Sequence, residues 1–324
     1  MQVQDLLPRF SQQSVMVLGD LVVEKYVWGT ARGLANDAPV PVLRVEGEEY
    51  QLGGAANVAR HLAALGAQVR LCGLVGYDDA AHALRRSVRQ SGIDTSGIFP
   101  AQGRQTASKV RVLSHQHGQQ LLQLDYEPPR STTDLERGSL RTYIEATLES
   151  TDCLILCDYE KETYGSLEFV QELARLAAAQ KVLTVADAHP AGVSLLRDTH
   201  LTLVSDAAAR DLHATLYEHS GVSRGELARD LLEFLHCGAI VLIDAAEGML
   251  GVRQEGEAAS IPCSLGAPFS VLGLREPLLG TLTLCLLAGG DLGLALRVAG
   301  RAGAKLVSKP GPASLRPEEL LDDS

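Results

Sequence analysis

The chain has 324 residues and a mass of 34.5 kDa, with 46% apolar and 21% charged residues. These fractions are those of a globular protein with a full hydrophobic core, which excludes a disordered chain and a fibrous repeat. Twenty-nine Lys and Arg against 40 Asp and Glu leave a net charge of −11, and no basic cluster interleaves with aromatics, so binding to a nucleic-acid backbone is excluded. A small anionic ligand is not, because a few Arg or Lys side chains and backbone N–H groups neutralise one locally.

The six cysteines (72, 153, 157, 237, 263 and 285) show no zinc or disulfide spacing, and read as small buried hydrophobes in a reducing compartment. The opening Met1-Gln-Val-Gln-Asp5 has no basic segment followed by an apolar one, and no apolar run reaches the roughly 18 residues that a membrane span needs. The expectation is a cytoplasmic protein without membrane or nucleic-acid partners.

Taken in chain order, Ser14 to Gly19 is a short apolar run ending at Gly19-Asp20, which predicts a buried parallel strand with a polar residue at its C-terminal end. Val40 to Val45 and Tyr50 to Leu52 read as exposed β material around Pro39 and Pro41. Gly53-Gly54-Ala-Ala-Asn57-Val-Ala59 then opens a helix, since Val58, Leu62 and Leu65 share one face. Alternation follows: strand 68–75, helix 79–91, β segments 109–114 and 120–126, helix 135–149, strand 153–157, helix 166–180, and strands 182–186 and 201–204. A helix over 223–235, a strand over 239–243, a hairpin around 251–261 and helices over 277–288 and 292–308 complete the chain. Such alternation predicts an α/β fold with a doubly wound, mostly parallel sheet and helices on both faces. The β-rich interruptions at about 21–52 and 105–127 break the alternation and are expected to form one small sheet beside a single domain covering 1–324. His115 and His117 fall on the turn between two of these β segments, where solvent exposure is expected rather than a metal site.

The Gly53 to Ala59 stretch resembles the first signature of the ribokinase-like (PfkB) sugar kinases. Val17-Leu-Gly-Asp20, Ala38-Pro-Val-Pro-Val42, Lys109-Val-Arg-Val-Leu-Ser114, Leu124-Asp-Tyr-Glu127 and Cys157-Asp-Tyr-Glu-Lys161 resemble, within that family, the kinase domains that phosphorylate heptose 7-phosphate on the way to ADP-heptose. The similarity runs from about residue 14 to 322. It implies a β lid that closes over the sugar and often dimerises, with the site at the C-terminal ends of the parallel strands. It also implies sugar contacts from Asp20, Gly53, Gly54 and Asn57. For Lys109 and Arg111 a lid-borne phosphate contact and a solvated edge strand stand side by side; for Asp158 and Lys161 the alternatives are site and surface.

The family's second signature, Asp-Thr-Gly-Ala-Gly-Asp, holds the transferred phosphoryl group on its turn and supplies the base from its last Asp. Here the aligned residues are Ser270-Val-Leu-Gly-Leu-Arg-Glu-Pro277. Gly273 is kept, Arg275 stands where a glycine leaves room for phosphate oxygens, and Glu276 replaces the base. Pro277 suits the first helical position. The Asn-x-x-Glu motif, which helps hold Mg²⁺, falls at Val204 to Arg210 with neither residue in place. The nucleotide-side Thr-x-x-x-x-Gly keeps only Gly248, with Ile243 in place of Thr. On the sugar side Glu24 replaces Asp, Gln123 replaces Arg, and the lid arginine is shifted to Arg32. Two expectations follow: a pseudokinase that keeps a sugar-phosphate or nucleotide site for binding, regulation or scaffolding, without cofactor, or an active kinase using ATP and Mg²⁺ with Glu276 as base and Arg275 as a cationic aid.

Overall fold

A computed structural model describes residues 2–115, 118–217, 221–256, 258–262, 274–307, 309 and 313–321. Nine strands form one sheet in the order β13-β12-β11-β10-β9-β8-β1-β4-β5. Its strands are β1 (Ser14–Gly19), β4 (Gln68–Val75), β5 (Asp94–Pro100), β8 (Cys153–Asp158), β9 (Leu183–Ala188), β10 (Leu201–Ser205), β11 (Ala239–Asp244), β12 (Gly248–Arg253) and β13 (Ala258–Ile261). The pairs from β5 through β11 are parallel, and β12 and β13 append antiparallel. This is the α/β architecture that the alternation predicts.

Strand β1 shows why the sheet takes helices on both sides. Successive side chains on a strand point to opposite faces, and both faces of β1 are apolar: Val15 and Val17 enter one core, Met16 and Leu18 the other. The first core is filled by α1 (Val3–Phe10), α2 (Ala55–Ala64), α3 (Asp79–Gln90), α8 (Arg275–Leu287) and α9 (Leu292–Val307). The second takes α4 (Asp134–Thr147), α5 (Leu167–Ala179), α6 (Asp206–Tyr217) and α7 (Arg224–Leu235). Helix starts follow local chemistry: Asp78, Thr133, Ser166 and Ser223 each accept a backbone N–H of the first turn, satisfying donors that the helix cannot.

The two interruptions join as a separate four-stranded sheet, β3-β2-β6-β7, built from β2 (Leu21–Leu34), β3 (Pro41–Gly54), β6 (Ala107–Ser114) and β7 (Gln120–Tyr126). In register across it, Glu24 and Tyr26 stand beside Lys109 and Arg111, and these beside Asp125 and Gln123. That face is polar. The other presents Tyr50, Leu122, Leu124 and Tyr126, all exposed; Leu121 sits at an irregularity in the β6–β7 register.

Several boundaries differ from the sequence expectation. α1, β5 and α6 are additional elements. α2 begins at Ala55, and α8 begins at Arg275, which puts Pro277 at its third position; the N–H that proline lacks would have no acceptor there in any case. His115 is half-exposed and stacks on Trp28 with 5.8 Å between ring centroids; His117 lies outside the described residues. The five described cysteines are all buried, and no described helix is long and apolar enough to cross a membrane.

Candidate functional site

Five adjacent strands of the large sheet deliver an aspartate to the same edge. In spatial order these are Asp244 at the end of β11, Asp206 just after β10, Asp187 on β9, Asp158 at the end of β8 and Asp20 just after β1. The sheet rule that places ligands outside the carboxyl ends of parallel strands puts a site here. Every one of the five carboxylates already has a partner within the chain.

Asp20 is almost fully buried. Its Oδ2 accepts the backbone N–H groups of Tyr159 at 2.8 Å and Lys161 at 2.9 Å, and its Oδ1 that of Thr163 at 3.1 Å. Asp20, expected as a sugar-hydroxyl ligand, clasps the 159–163 loop, in which Glu160 and Glu162 hold positive φ of 60° and 64°, a conformation that costs non-glycine residues about 1–2 kcal/mol each. Asp158 accepts the N–H of Glu160 at 2.9 Å. Burial, followed by the nearby Asp20 charge, pushes its pKa up to about 7. Lys161 spends its ammonium on Glu127 and donates its N–H to Asp20.

Asp187 carries no exposed surface. Arg275 reaches it from the start of α8, Nε at 2.8 Å and Nη2 at 2.5 Å from Oδ1, while the Tyr159 hydroxyl donates to Oδ2 at 2.9 Å. Arg275 therefore lies in a buried ion pair. Farther along, Arg224 makes a forked pair with Asp206, at 2.7 and 2.9 Å, and also donates to the Gly248 carbonyl at 3.1 Å. Asp244 folds its own turn by accepting the N–H groups of Ala246 and Glu247. Gly248, the expected nucleotide contact, closes that turn.

Across the cleft the small sheet supplies Glu24, whose carboxylate takes Arg111 and the Tyr26 hydroxyl. A Cβ on Gly53 would meet Glu24 Cγ at 3.1 Å, a tight contact with a flexible side chain, whereas one on Gly54 would lie 2.6 Å from the Asp20 carbonyl; Gly54 also has φ 56°, so a glycine is required at 54, where the lid meets α2. Lys109 makes no hydrogen bond or ion pair among the described residues and sits close enough to the end of β9 to act on His189, whose pKa is lowered by burial first, then by Arg275, and also by Lys109. Asn57 is buried at the first turn of α2 and accepts from Arg60.

Glu276 is buried, and its Oε2 has no hydrogen-bond partner among the described residues. Burial pushes its pKa from the ordinary 4.5 up to about 7, with Asp187 adding to the rise. A carboxyl whose folded-state pKa is raised contributes stability below its unfolded pKa and loses it as pH rises through the folded one. Stability that Glu276 supplies should thus fade between about pH 4.5 and about 7, at up to about 1.4 kcal/mol per pH unit. Subtracting the Glu276→Gln denaturation profile from the wild-type one removes the Asp158 contribution and should leave this slope; a flat difference contradicts it. Gly273 lies outside the described residues.

Sequence reasoning brought Asp20, Gly53, Gly54, Asn57, Lys109, Arg111, Asp158, Lys161, Arg275 and Glu276 to this one edge. It missed Asp187, Tyr159, His189, Arg224 and Arg60. Asp187 carried a signal, being the first polar residue after the predicted strand 182–186, in the same position as Asp20 and Asp158 on theirs. Among the described residues no group of three or more His, Cys, Asp or Glu side chains could hold a metal ion, and the strand-end carboxylates have partners within the chain.

Residues 12–217 match the pfkB family carbohydrate kinase model. The chain is 33% identical over 315 residues to the Bifunctional protein HldE of Pseudomonas paraeruginosa, covering 97% of this chain and 64% of that protein. It is also 33% identical over 316 residues to the Bifunctional protein HldE of Shewanella baltica, again covering 64% of it. The chain thus spans about two-thirds of the length of these curated relatives, 64% in each case. Among solved structures, phosphofructokinase-2 of Escherichia coli superposes with a TM-score of 0.75 at 15% identity, over 95% of this chain and 96% of that one. Arabidopsis thaliana ribokinase, solved with ribose and ATP, superposes with a TM-score of 0.71 at 13% identity, over 95% and 97%. With a ribokinase-like fold, a family match over more than half its length and these relatives, the chain belongs to the pfkB family of carbohydrate kinases.

Proposed function

We propose that this chain is a pfkB-type sugar kinase homologue, resembling a heptose 7-phosphate kinase domain, that has lost efficient phosphoryl transfer and acts by binding a sugar phosphate. The observation that carries the reading is the Arg275–Asp187 ion pair. The arginine stands where the family resemblance calls for a glycine beside the phosphate-holding turn, and its charge is spent on the carboxylate of the neighbouring strand. Arg224 does the same to Asp206 on the nucleotide side. Phosphoryl transfer is catalysed chiefly by positioning and charge stabilisation, so side chains paired with one another are withdrawn from that work. The sugar side retains Asn57, Lys109 and the Glu24–Arg111 pair.

A coupled assay with ATP, Mg²⁺ and heptose 7-phosphate should show turnover well below 1 per second; a rate on the order of 1 per second or more, within the usual kinase range, rejects the reading. Heptose 7-phosphate should nonetheless raise the melting temperature, because a ligand of the native state alone stabilises it. A second reading rests on Glu276: a buried carboxyl with an unpartnered oxygen and a pKa near 7 is what a general base requires. On that reading the chain is an active kinase using ATP and Mg²⁺, with Glu276 as base, and the same assay decides between the two.

The exposed apolar face of the lid sheet, with Tyr50, Leu122, Leu124 and Tyr126, supports a homodimer formed lid to lid. Light scattering at micromolar concentration should report twice the 34.5 kDa chain mass. A monomer contradicts the proposal.

A further inference from the structure

Helix α3 carries a stripe of positive charge on a chain whose net charge is −11. Ala81, Leu84 and Val88 bury one face of the helix in the core. His82, Arg86, Arg89 and Gln90 are exposed on the opposite side, with Arg85 half-buried beside them. Positions 82, 85, 86 and 89 lie on successive turns of one face, where neighbouring Cβ atoms stand about 5–6 Å apart. These five residues line a cavity of about 580 Å³, within the range of about 300–1,000 Å³ that small-molecule sites occupy.

Among the described residues, none of the three arginines pairs with a carboxylate. On α4, by contrast, Arg137 pairs with Asp134 and Arg141 with Glu145. Two of the α3 arginines are braced on β5, the last strand of the large sheet: Arg85 Nη2 donates to the Ile98 carbonyl at 2.7 Å, and Arg89 Nε to Thr95 Oγ1 at 3.4 Å. A guanidinium has five N–H donors, so most remain available, and the bracing removes part of the ordering cost of binding. Burial first, and then the charge of Arg89, lowers the Arg85 pKa; an anion relieves that like-charge crowding. Strand β4 stands between β5 and β1, so the groove lies beyond the row of strands that carries the five aspartates.

We propose that the α3 groove is an anion site outside the cleft, which binds a ligand carrying a chain of two or three linked phosphates. Arginine suits phosphate because its planar fork meets two oxygens at once. A single phosphate reaches one neighbouring pair of side chains, whereas a linked chain extends along the stripe to all three arginines. The lining holds no tryptophan, tyrosine or aliphatic residue, the apolar centre on which a protein partner would seat. The site is independent of what the cleft binds or catalyses.

The test is calorimetric titration of the chain with sodium tripolyphosphate at about 0.15 M salt, where diffuse attraction is screened beyond about 8 Å. The wild type should bind it saturably, and orthophosphate at least about tenfold more weakly. The double variant Arg86→Gln/Arg89→Gln should lose at least about tenfold in tripolyphosphate affinity while unfolding at the wild-type midpoint, since exposed substitutions of this kind change stability little. If the double variant melts early, Arg86→Gln alone carries the comparison and should still weaken binding, because Arg86 makes no hydrogen bond among the described residues. Absence of saturable uptake by the wild type overturns the site, as does uptake that the variants retain in full, which would place the ligand elsewhere. Equal affinity for orthophosphate overturns the linked-phosphate assignment. A hexaglutamate peptide that binds more tightly than tripolyphosphate overturns it in favour of an acidic protein segment.

Discussion

Asp187→Ala is expected to destabilise the protein by about 3–5 kcal/mol, the usual consequence of removing one partner from a buried ion pair. Asp187 has no exposed surface and Arg275 little, so the truncation leaves a guanidinium without its counter-charge in a place water does not reach. The Tyr159 hydroxyl loses its acceptor in the same step. With an unfolding entropy of about 2.1 cal/mol/K per residue and 324 residues, the melting temperature should drop by roughly 4–7 °C. Replacing both partners, Asp187→Leu with Arg275→Leu, should recover most of the loss, because an apolar pair of similar volume is often as stable as the ion pair. Chemical denaturation of the three proteins checks this. If Asp187→Ala unfolds at the wild-type midpoint, the ion pair is not the structural element argued for, and the case against phosphoryl transfer loses its main support.

This pair also marks the limit of what the amino-acid order reveals. Strands such as Ser14–Gly19 and Gln68–Val75 are legible because a strand buried on both faces must be apolar throughout. Val3–Phe10 is not, since it carries Pro8 within a helix. Asp206–Tyr217 buries mainly Ala208, Ala209 and His213, too small an apolar stripe to announce a helix. Asp94–Pro100 holds a serine, a glycine and a proline, and is a strand because it pairs with β4 at the sheet edge. At the site, polar residues after apolar runs locate the edge itself. What each polar residue does there depends on partners 88 residues away for Asp187 and 18 for Asp206. Asp20 illustrates the difference: its position is legible, but three backbone N–H groups from 139 to 143 residues downstream claim its carboxylate.

Rebuilding the phosphate-holding turn with Leu274→Gly, Arg275→Gly and Glu276→Asp should not recover strong kinase activity. The substitutions clear the side chain at 274, put the second signature's glycine at 275 and its base of the usual length at 276, and they release Asp187 from its arginine. They leave three other parts unchanged. Arg224 still holds Asp206 and the Gly248 carbonyl, so the nucleotide side keeps its internal pair. Ser205, Ala208 and Ile243 still stand where the resemblance calls for groups that place Mg²⁺ and the triphosphate. Asp20 still accepts the 159–163 loop. Groups that act together in one catalytic unit are far from additive, so one restored member of several gives little. The triple variant also has a structural cost, since removal of Arg275 leaves Asp187 buried with only the Tyr159 hydroxyl among the partners described above. A melting temperature below the wild type and a rate increase below about 10³-fold are therefore expected together. An increase of roughly 10³-fold or more, about 4 kcal/mol of barrier, in the same coupled assay would mean that the nucleotide and metal contacts were competent all along. The defect would then be confined to one turn, and Arg224–Asp206 would have to open when nucleotide arrives.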